Sequence, residues 1–463
     1  MDESTNRQIL KPLSNREKFA YGFGDLSTSV IWTMTTTWAM FFFTDIFLIP
    51  ALAAGTLLLV ARIFDAVNDP VVGLIVDKTD TKMGKARPYL LWFAIPYGLI
   101  GCFLFFTPNL DVNGKMTYAY ILYLLLVTLY TLVNIPYNSM IALMTKDQKE
   151  RTQLSRNRLL FAMGGYIIVS LTPVLANMLG SGIDELSIQR SGFFRVAVIF
   201  GIIAAVGFLV TFFNTKEHVR EERKSKEKNH TFWQRLRAMG KNGPWVVASL
   251  MMLTTSLRTT IMTGVLIYYV KYYLGRPESF SSVILITTLI GMMTGITIGP
   301  KIIAKTGVKK AIIIATTLSI LVSGLLFLAG TNTILIIICT TLFGCVSGIP
   351  SVASYAMFGD AVEYGEWKTG IRSEGLTFSS YTLAQKAASG IGSFLIGIML
   401  TVVGYNSELA VQTVTTSDGI LLTFIGFPAL FSILTIVIML FHTLDKKKYE
   451  QIVKELDKEE TVG

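Results

Sequence analysis

The chain has 463 residues, of which 52% are apolar and only 16% charged, and its formal net charge is +10. A soluble protein of this length carries about a quarter charged residues spread over roughly three domains, so soluble multidomain and disordered classes are excluded. Only three cysteines occur, Cys102, Cys339 and Cys345, all in apolar runs, which excludes a disulfide-built secreted module.

The first eighteen residues are polar, and no small-residue cleavage site follows the first apolar run, so no removable signal peptide is expected. Crossing about 30 Å of hydrocarbon takes about 20 helical residues. Twelve runs of that kind follow one another: 24–48, 51–76, 89–107, 117–142, 158–180, 193–214, 245–270, 280–300, 309–330, 333–358, 376–404 and 418–442. Ten-residue blocks with alternating polarity are missing, which excludes an outer-membrane barrel. The predicted fold is an all-α polytopic membrane protein with twelve transmembrane helices.

Lys and Arg crowd the N-terminal tail, the connections after even-numbered spans and the C-terminal tail. The odd-numbered connections hold only Lys115, Arg190, Arg195, Lys271 and Arg276. By the positive-inside rule both termini are predicted to face the cytoplasm of a multi-pass cell-membrane protein. The net charge then reports orientation, and the run Lys216 to Arg237 reads as a solvated linker, not a nucleic-acid site. That run divides six spans from six. The predicted organisation is a six-helix bundle over 1–214, a cytoplasmic linker over 215–243, a second six-helix bundle over 244–443 and a cytoplasmic tail over 444–463. A weak internal repeat supports the division: Gly73, Lys78, Gly84 and Lys85 after the second span correspond to Gly299, Lys301, Gly307 and Lys309 after the eighth.

Among the charges that fall inside spans are Asp25, Arg62, Asp65, Asp69, Arg258 and Lys386. A charge at the centre of a lipid-facing helix costs about 2.5–3.5 kcal/mol, so these six are expected to face the protein interior. Arg62, Asp65 and Asp69 are spaced i, i+3, i+7 on one helical face, with Asn68 beside them and Pro70 following. Two carboxylates one turn apart repel unless a cation lies between them or one binds a proton. Hard cations such as Na⁺ prefer several oxygen ligands, which Asp65, Asp69, the Asn68 amide and a neighbouring hydroxyl can supply. H⁺ is the second candidate. Histidine is excluded as a relay because His218, His230 and His442 lie in or beside cytoplasmic segments. In the fourth span Tyr130, Asn134 and Asn138 form an i, i+4, i+8 polar stripe, and in the first Asp25, Ser27, Thr28 and Trp32 add groups suited to sugar hydroxyls and C–H faces. Trp32 and Trp38 have packing or interfacial anchoring as the plainer reading.

Several motifs in order carry a resemblance. They are Tyr21-Gly-Phe-Gly-Asp25, Arg62-Ile-Phe-Asp65-Ala-Val-Asn68-Asp69-Pro70-Val-Val-Gly73, the loop from Asp77 through Arg87 to Tyr89, Ile135-Pro136-Tyr137, Arg158-Leu-Leu-Phe161-Ala162, and Asp360 to Gly375. Across nearly its whole length the chain resembles the glycoside-pentoside-hexuronide:cation symporters, a branch of the major facilitator superfamily. The resemblance implies two six-helix bundles and alternating-access symport of a glycoside or related sugar with Na⁺, or with H⁺. It implies Asp65, Asn68, Asp69 and Thr131 as cation ligands, and Asp25, Tyr130, Asn134, Asn138, Arg158 and Lys386 as substrate contacts. Arg62 and Lys386 would pair with the acidic residues, and Arg258, a third charge-pairing candidate, has no assigned counterpart. Asp77, Arg87, Asp360, Glu363 and Arg372 are expected to form a cytoplasmic gate.

Two positions depart from the melibiose-type pattern: Asn134 replaces an aspartate and Asn138 a tryptophan. The first removes a negative charge and the second a stacking surface, so α-galactoside specificity does not follow, and glycoside, pentoside and uronide stay open. A lysolipid-type amphiphile carrier of the same fold and a non-transporting sugar sensor are the alternatives. The one His touching a span is His442, at the cytoplasmic end of the twelfth, and no nucleophile–base pair lies in any span, so no enzyme is expected; neither is a cofactor other than the coupling ion, nor a regulatory domain past Gly463. The expected partners are a small sugar and the bilayer, with the protein acting as a monomer.

Overall fold

Helices start where the sequence supplies caps. Ser14 and Glu17 form a reciprocal capping box ahead of α1 (Asn15–Phe41), and Asp111, Asp147 and Asp184 cap α4 (Val112–Met144), α5 (Gln148–Ser170) and α7 (Glu185–Asn214). Each side chain satisfies amide N–H groups that a helix start leaves without partners. The computed structural model describes residues 13–219, 232–407, 409 and 411–462. Most of the basic linker run and His230 lie outside the described residues. The remaining helices of the first half are α2 (Ala51–Lys78), α3 (Arg87–Leu104) and α6 (Thr172–Leu179). The second half holds α8 (Phe232–Gly240), α9 (Gly243–Tyr268), α10 (Phe280–Thr306), α11 (Val308–Ala329), α12 (Thr333–Thr369), α13 (Glu374–Val402), α14 (Val414–Leu440) and α15 (Lys446–Val462).

Every predicted apolar run coincides with a helix, and no strand occurs among the described residues. Ten helices are long and apolar enough to cross a membrane, and the α5–α6 pair, bent by 49°, makes an eleventh. The bend falls at Leu171, whose backbone leaves the helical region (φ −82°, ψ 1°), and Pro173 follows in the first turn of α6, where its missing N–H breaks no helical hydrogen bond. The first predicted span, in α1, is not among these, because hydroxyl residues dilute its apolar content. Those hydroxyls are satisfied locally: Ser27, Thr28 and Thr35 each donate to the carbonyl four residues earlier. The first long helix of each half ends in a π turn, Phe42–Ile46 after α1 and Tyr269–Tyr273 after α9, an echo between the halves that the residue pattern did not reveal. The repeat glycines Gly84 and Gly307 both adopt positive φ, at 112° and 81°.

The chain divides into two compact units, Met1–Ile49 with Ile63–Ser225, and Pro50–Arg62 with Lys226–Gly463. In the first, α1 packs on α5 and α7, and α3 packs between α4 and α7. In the second, α9 packs on α13 and α14, while α12 lies against α10 and α11.

The end of α7 leads into a strap that closes the polar end of the first unit. Ala86, ahead of α3, has no side-chain cap of its own. The Glu217 carboxylate supplies it from 130 residues away, accepting the N–H groups of Lys85, Ala86 and Arg87 at 2.8, 2.8 and 3.0 Å. Gly84 is needed twice here, for its positive φ and because a Cβ would run into that carboxylate. The His218 and Val219 N–H groups both donate to the Leu143 carbonyl, and His218 Nε2 lies 3.0 Å from Glu17. A carboxylate with three N–H donors is a charge-assisted cap. Glu217→Gln, which keeps one of two acceptor oxygens, is therefore expected to lower stability by about 1–3 kcal/mol. Thermal denaturation of the purified protein checks this, with Lys216→Gln as the neighbouring control.

Candidate functional site

The α2 helix is continuous through Pro70, so the Arg62, Asp65, Asp69 face predicted from spacing exists. Asp65 is fully buried and Arg62 nearly so, while Asp69 and Asn68 are half-buried. The second half of α2 rests on α3 and α4 through Val72, Val76, Tyr89, Leu132 and Ile135, which brings Thr131 of α4 to the carboxylates. Its Oγ1 lies 3.2 Å from Asp69 Oδ1, 3.5 Å from Asp65 Oδ1 and 3.1 Å from the Val127 carbonyl. One hydroxyl hydrogen faces three acceptors, so at least two of these oxygen contacts lack a proton. The Asn68 Nδ2 atom is buried with no acceptor. Amide nitrogen and oxygen exchange by a flip, which would turn a further oxygen into that position.

A second polar cluster joins α1, α4 and α5. Arg158 makes a two-point ion pair with Asp25, Nε to Oδ2 at 2.8 Å and Nη2 to Oδ1 at 3.1 Å, and Nη2 also donates to Asn138 Oδ1 at 2.6 Å. The guanidinium lies 4.8 Å from the centre of the Tyr137 ring. Tyr137 is held by a reciprocal clamp: its hydroxyl donates to the Tyr21 carbonyl at 2.7 Å, and the Tyr21 hydroxyl to the Tyr137 carbonyl at 3.0 Å. Gly24 makes room for this ring, since a Cβ there would overlap it. Trp32 and Tyr130 stack at 3.7 Å with 12° between their planes, and Asn134 Nδ2 donates to the Tyr130 hydroxyl at 3.2 Å. Side chains expected separately as substrate contacts thus form connected groups.

Ser27 and Thr28 are buried with their hydroxyls turned to their own helix, so their hydrogens are not available to a ligand in this arrangement. Trp38 is buried and donates to the Val169 carbonyl, consistent with packing. The Tyr21–Tyr137 clamp was not foreseen. No pattern marks it, because each hydroxyl bonds a backbone carbonyl on another helix.

In the second unit Arg258 is buried, with Nη1 near Ser319 and Ser432 at 3.0 and 3.4 Å, Nη2 near Ser347 at 3.1 Å, and the Phe343 ring at 5.2 Å. Lys386 lies half-buried on α13. Of the residues assigned to a gate, Asp77 pairs with Lys85 at 3.2 Å and Arg87 donates to the Phe212 carbonyl at 2.8 Å. Arg372 pairs with Glu366 and Glu374 at 2.7 and 3.4 Å, and Asp360 and Glu363 are one turn apart near the end of α12.

A family described as MFS/sugar transport protein matches residues 20–446. The uncharacterized symporter YnaJ of Bacillus subtilis is 33% identical over 98% of this chain and 97% of its own. The isoprimeverose transporter of Lactiplantibacillus pentosus is 32% identical over 93% of this chain and 89% of its own. Among solved structures, a bacterial homologue of the human lysosomal transporter Spinster, inward-facing and unoccupied, superposes with a TM-score of 0.69 at 14% identity, over 95% of this chain and 96% of that one; this likeness concerns the fold alone. The family match across both halves, with relatives above 30% identity over nearly the full length, shows that the chain belongs to the MFS/sugar transport family of membrane transporters and is not an enzyme.

Proposed function

We propose that the protein is a cation-coupled symporter that moves a glycoside or related sugar across the cell membrane by alternating access, with Na⁺ preferred over H⁺. In this reading twelve spans form two six-helix bundles, both termini are cytoplasmic and the monomer is the working unit. The observation that carries it is the oxygen cluster of Asp65, Asp69 and Thr131, in which one hydroxyl hydrogen faces three acceptors. Two carboxylates and a hydroxyl offer oxygen ligands of the kind a hard monovalent cation prefers, with the Asn68 amide oxygen as a further ligand. The sugar component is supported by the Asp25–Arg158 pair beside the Trp32–Tyr130 stack, and by relatives named as a symporter and as an isoprimeverose transporter. The α2 carboxylates and the α1–α5 ion pair both contact α4, through Thr131 and Asn138, so filling the first site steadies the helix that carries Asn134, Tyr137 and Asn138. Each ligand then raises the other's affinity by the same factor.

Binding of a glycoside panel to the purified protein, with and without Na⁺ at two pH values, tests this. The expected result is an increase in affinity of about tenfold or more on adding Na⁺, equivalent to a coupling energy of about 1.4 kcal/mol. A rise on acidification alone assigns the role to H⁺. Affinities independent of both ions remove cation coupling.

A further inference from the structure

We infer that α8 is a membrane-surface anchor that binds the headgroups of anionic lipids through its outward face. Only Lys241 and Asn242 separate α8 (Phe232–Gly240) from the start of α9. Because α9 is long and apolar enough to cross a membrane, α8 lies beside the point where the chain enters the bilayer. The end of α12 reaches the same level, since Lys368 Nζ donates to the Lys241 carbonyl at 2.9 Å, just past the C-terminus of α8.

The two sides of α8 differ. Met239 is buried and lines a small cavity together with Asn242 and with Ala361 and Gly365 of α12, and the Asn242 amide fastens this side by donating to the Ala361 carbonyl at 2.6 Å. The outward side carries Trp233, 72% exposed, and Leu236, 39% exposed, with the exposed Arg237 one turn after Trp233 and the exposed Lys241 beyond it. Residues 232–241 include no Asp or Glu. Neither Arg237 nor Lys241 has a carboxylate within ion-pair distance among the described residues. Two acids at this end are engaged elsewhere: Glu366 pairs with Arg372 at 2.7 Å, and Glu455 of α15 accepts from Trp367 Nε1 at 2.7 Å.

An indole and a leucine side chain gain by leaving water, and tryptophan favours the headgroup level, where its ring is covered while its N–H stays hydrated. At the end of α12 the exposed Trp367 and the Tyr364 ring, with the Lys368 ammonium 5.5 Å from its centre, continue this belt of aromatic and basic groups. A free phosphate ion would answer the cations and leave Trp233 and Leu236 in water. An uncharged bilayer would cover the apolar pair and leave the cations without counter-charge. An anionic bilayer surface meets both, and apolar and cationic groups sharing one face of a helix at the boundary form the pattern of an interfacial helix. The basic run that the sequence presents as a solvated linker thus ends in a segment built for a different environment. Each Lys or Arg near an anionic surface is worth about a fivefold gain in binding.

The test reconstitutes the full-length protein in phosphatidylcholine vesicles containing brominated lipid, which quenches nearby tryptophan fluorescence. The share of Trp233 is the difference between the unaltered protein and Trp233→Phe, with Trp233→Leu as a second reference. Bromines close to the headgroup are expected to quench at least half of that share, and bromines deep in the acyl chain much less. Brominated phosphatidylglycerol is expected to quench it at about one fifth or less of the mole fraction that brominated phosphatidylcholine requires. Arg237→Gln with Lys241→Gln is expected to bring that ratio close to one while the thermal transition stays in place. A Trp233 share that no brominated lipid quenches places this face in water or against another protein and overturns the inference. Equal quenching by the two lipids, or a preference for phosphatidylglycerol that survives the double substitution, overturns the assignment to anionic headgroups. None of these readings depends on transport, so the coupling proposed above stands or falls separately.

Discussion

Asp65→Asn and Asp69→Asn are each expected to lower cation affinity by about two orders of magnitude and to abolish cation-driven uptake. The amides preserve shape and remove one charge, so the change isolates electrostatics. Two carboxylates at the i, i+4 helix spacing of about 5–6 Å repel by about 3 kcal/mol at an effective dielectric of about 20, and a bound cation relieves that repulsion while gaining attraction to both. Losing either charge removes most of the gain. Thr131 provides the internal comparison. Thr131→Val deletes a neutral oxygen that lies within 3.5 Å of both carboxylates, and about a tenfold weakening is expected. Thr131→Ser restores the oxygen and should restore most of the affinity. Titration of Na⁺ by intrinsic tryptophan fluorescence, with uptake into proteoliposomes as the second measurement, checks the series. If the aspartate variants keep full cation stimulation, the oxygen cluster is not the coupling site.

The positions that sequence reasoning reached are those whose chemistry repeats with a helix. Arg62, Asp65 and Asp69 were legible because charge inside an apolar run is expensive and their spacing places them on one face, and Tyr130, Asn134 and Asn138 because polar residues at i, i+4, i+8 form a stripe. Partners on other helices were not legible from spacing. Thr131 entered only through family resemblance, since a lone threonine in an apolar span most often bonds its own backbone; here it also bonds the Val127 carbonyl, and nothing local announces the two carboxylates. Glu217 looked like one acid in a basic linker, whereas folding makes it the cap of α3. In α1 the hydroxyl residues suggested a ligand surface, but Ser27 and Thr28 spend their hydrogens on their own carbonyls. Sequence gives the donors and acceptors along a helix; which of them remain available is decided by the neighbouring helices.

The largest expected effect on stability lies in the second unit, where α10 and α12 meet backbone to backbone. Gly291 and Gly295 of α10 face the carbonyls of Thr341 and Cys345, and Gly344 and Gly348 of α12 face those of Thr288 and Met292. The four-residue spacing on both helices is the small-residue pattern that lets helices approach closely where lipid removes the hydrophobic drive. A Cβ at Gly295 would overlap the Cys345 carbonyl, and a Cβ at Gly348 would stand 2.5 Å from the Met292 carbonyl. The obstacle in each case is backbone, so no side-chain rotation relieves it and the helices must separate. Gly295→Val is therefore expected to cost about 3 kcal/mol or more, at the upper end of overpacking, with Gly295→Ala intermediate. Gly324→Ala on α11, where nothing lies within 4 Å of the added carbon, should be neutral or slightly stabilising because Ala favours helix. Thermal stability of the detergent-purified variants, read as the fraction remaining monodisperse after heating, ranks the three. The consequence extends past packing, because Ser347, between Gly344 and Gly348, accepts from the buried guanidinium of Arg258. Displacing α12 at Gly295 withdraws that acceptor and leaves a buried donor unpaired, which adds a desolvation cost to the steric one.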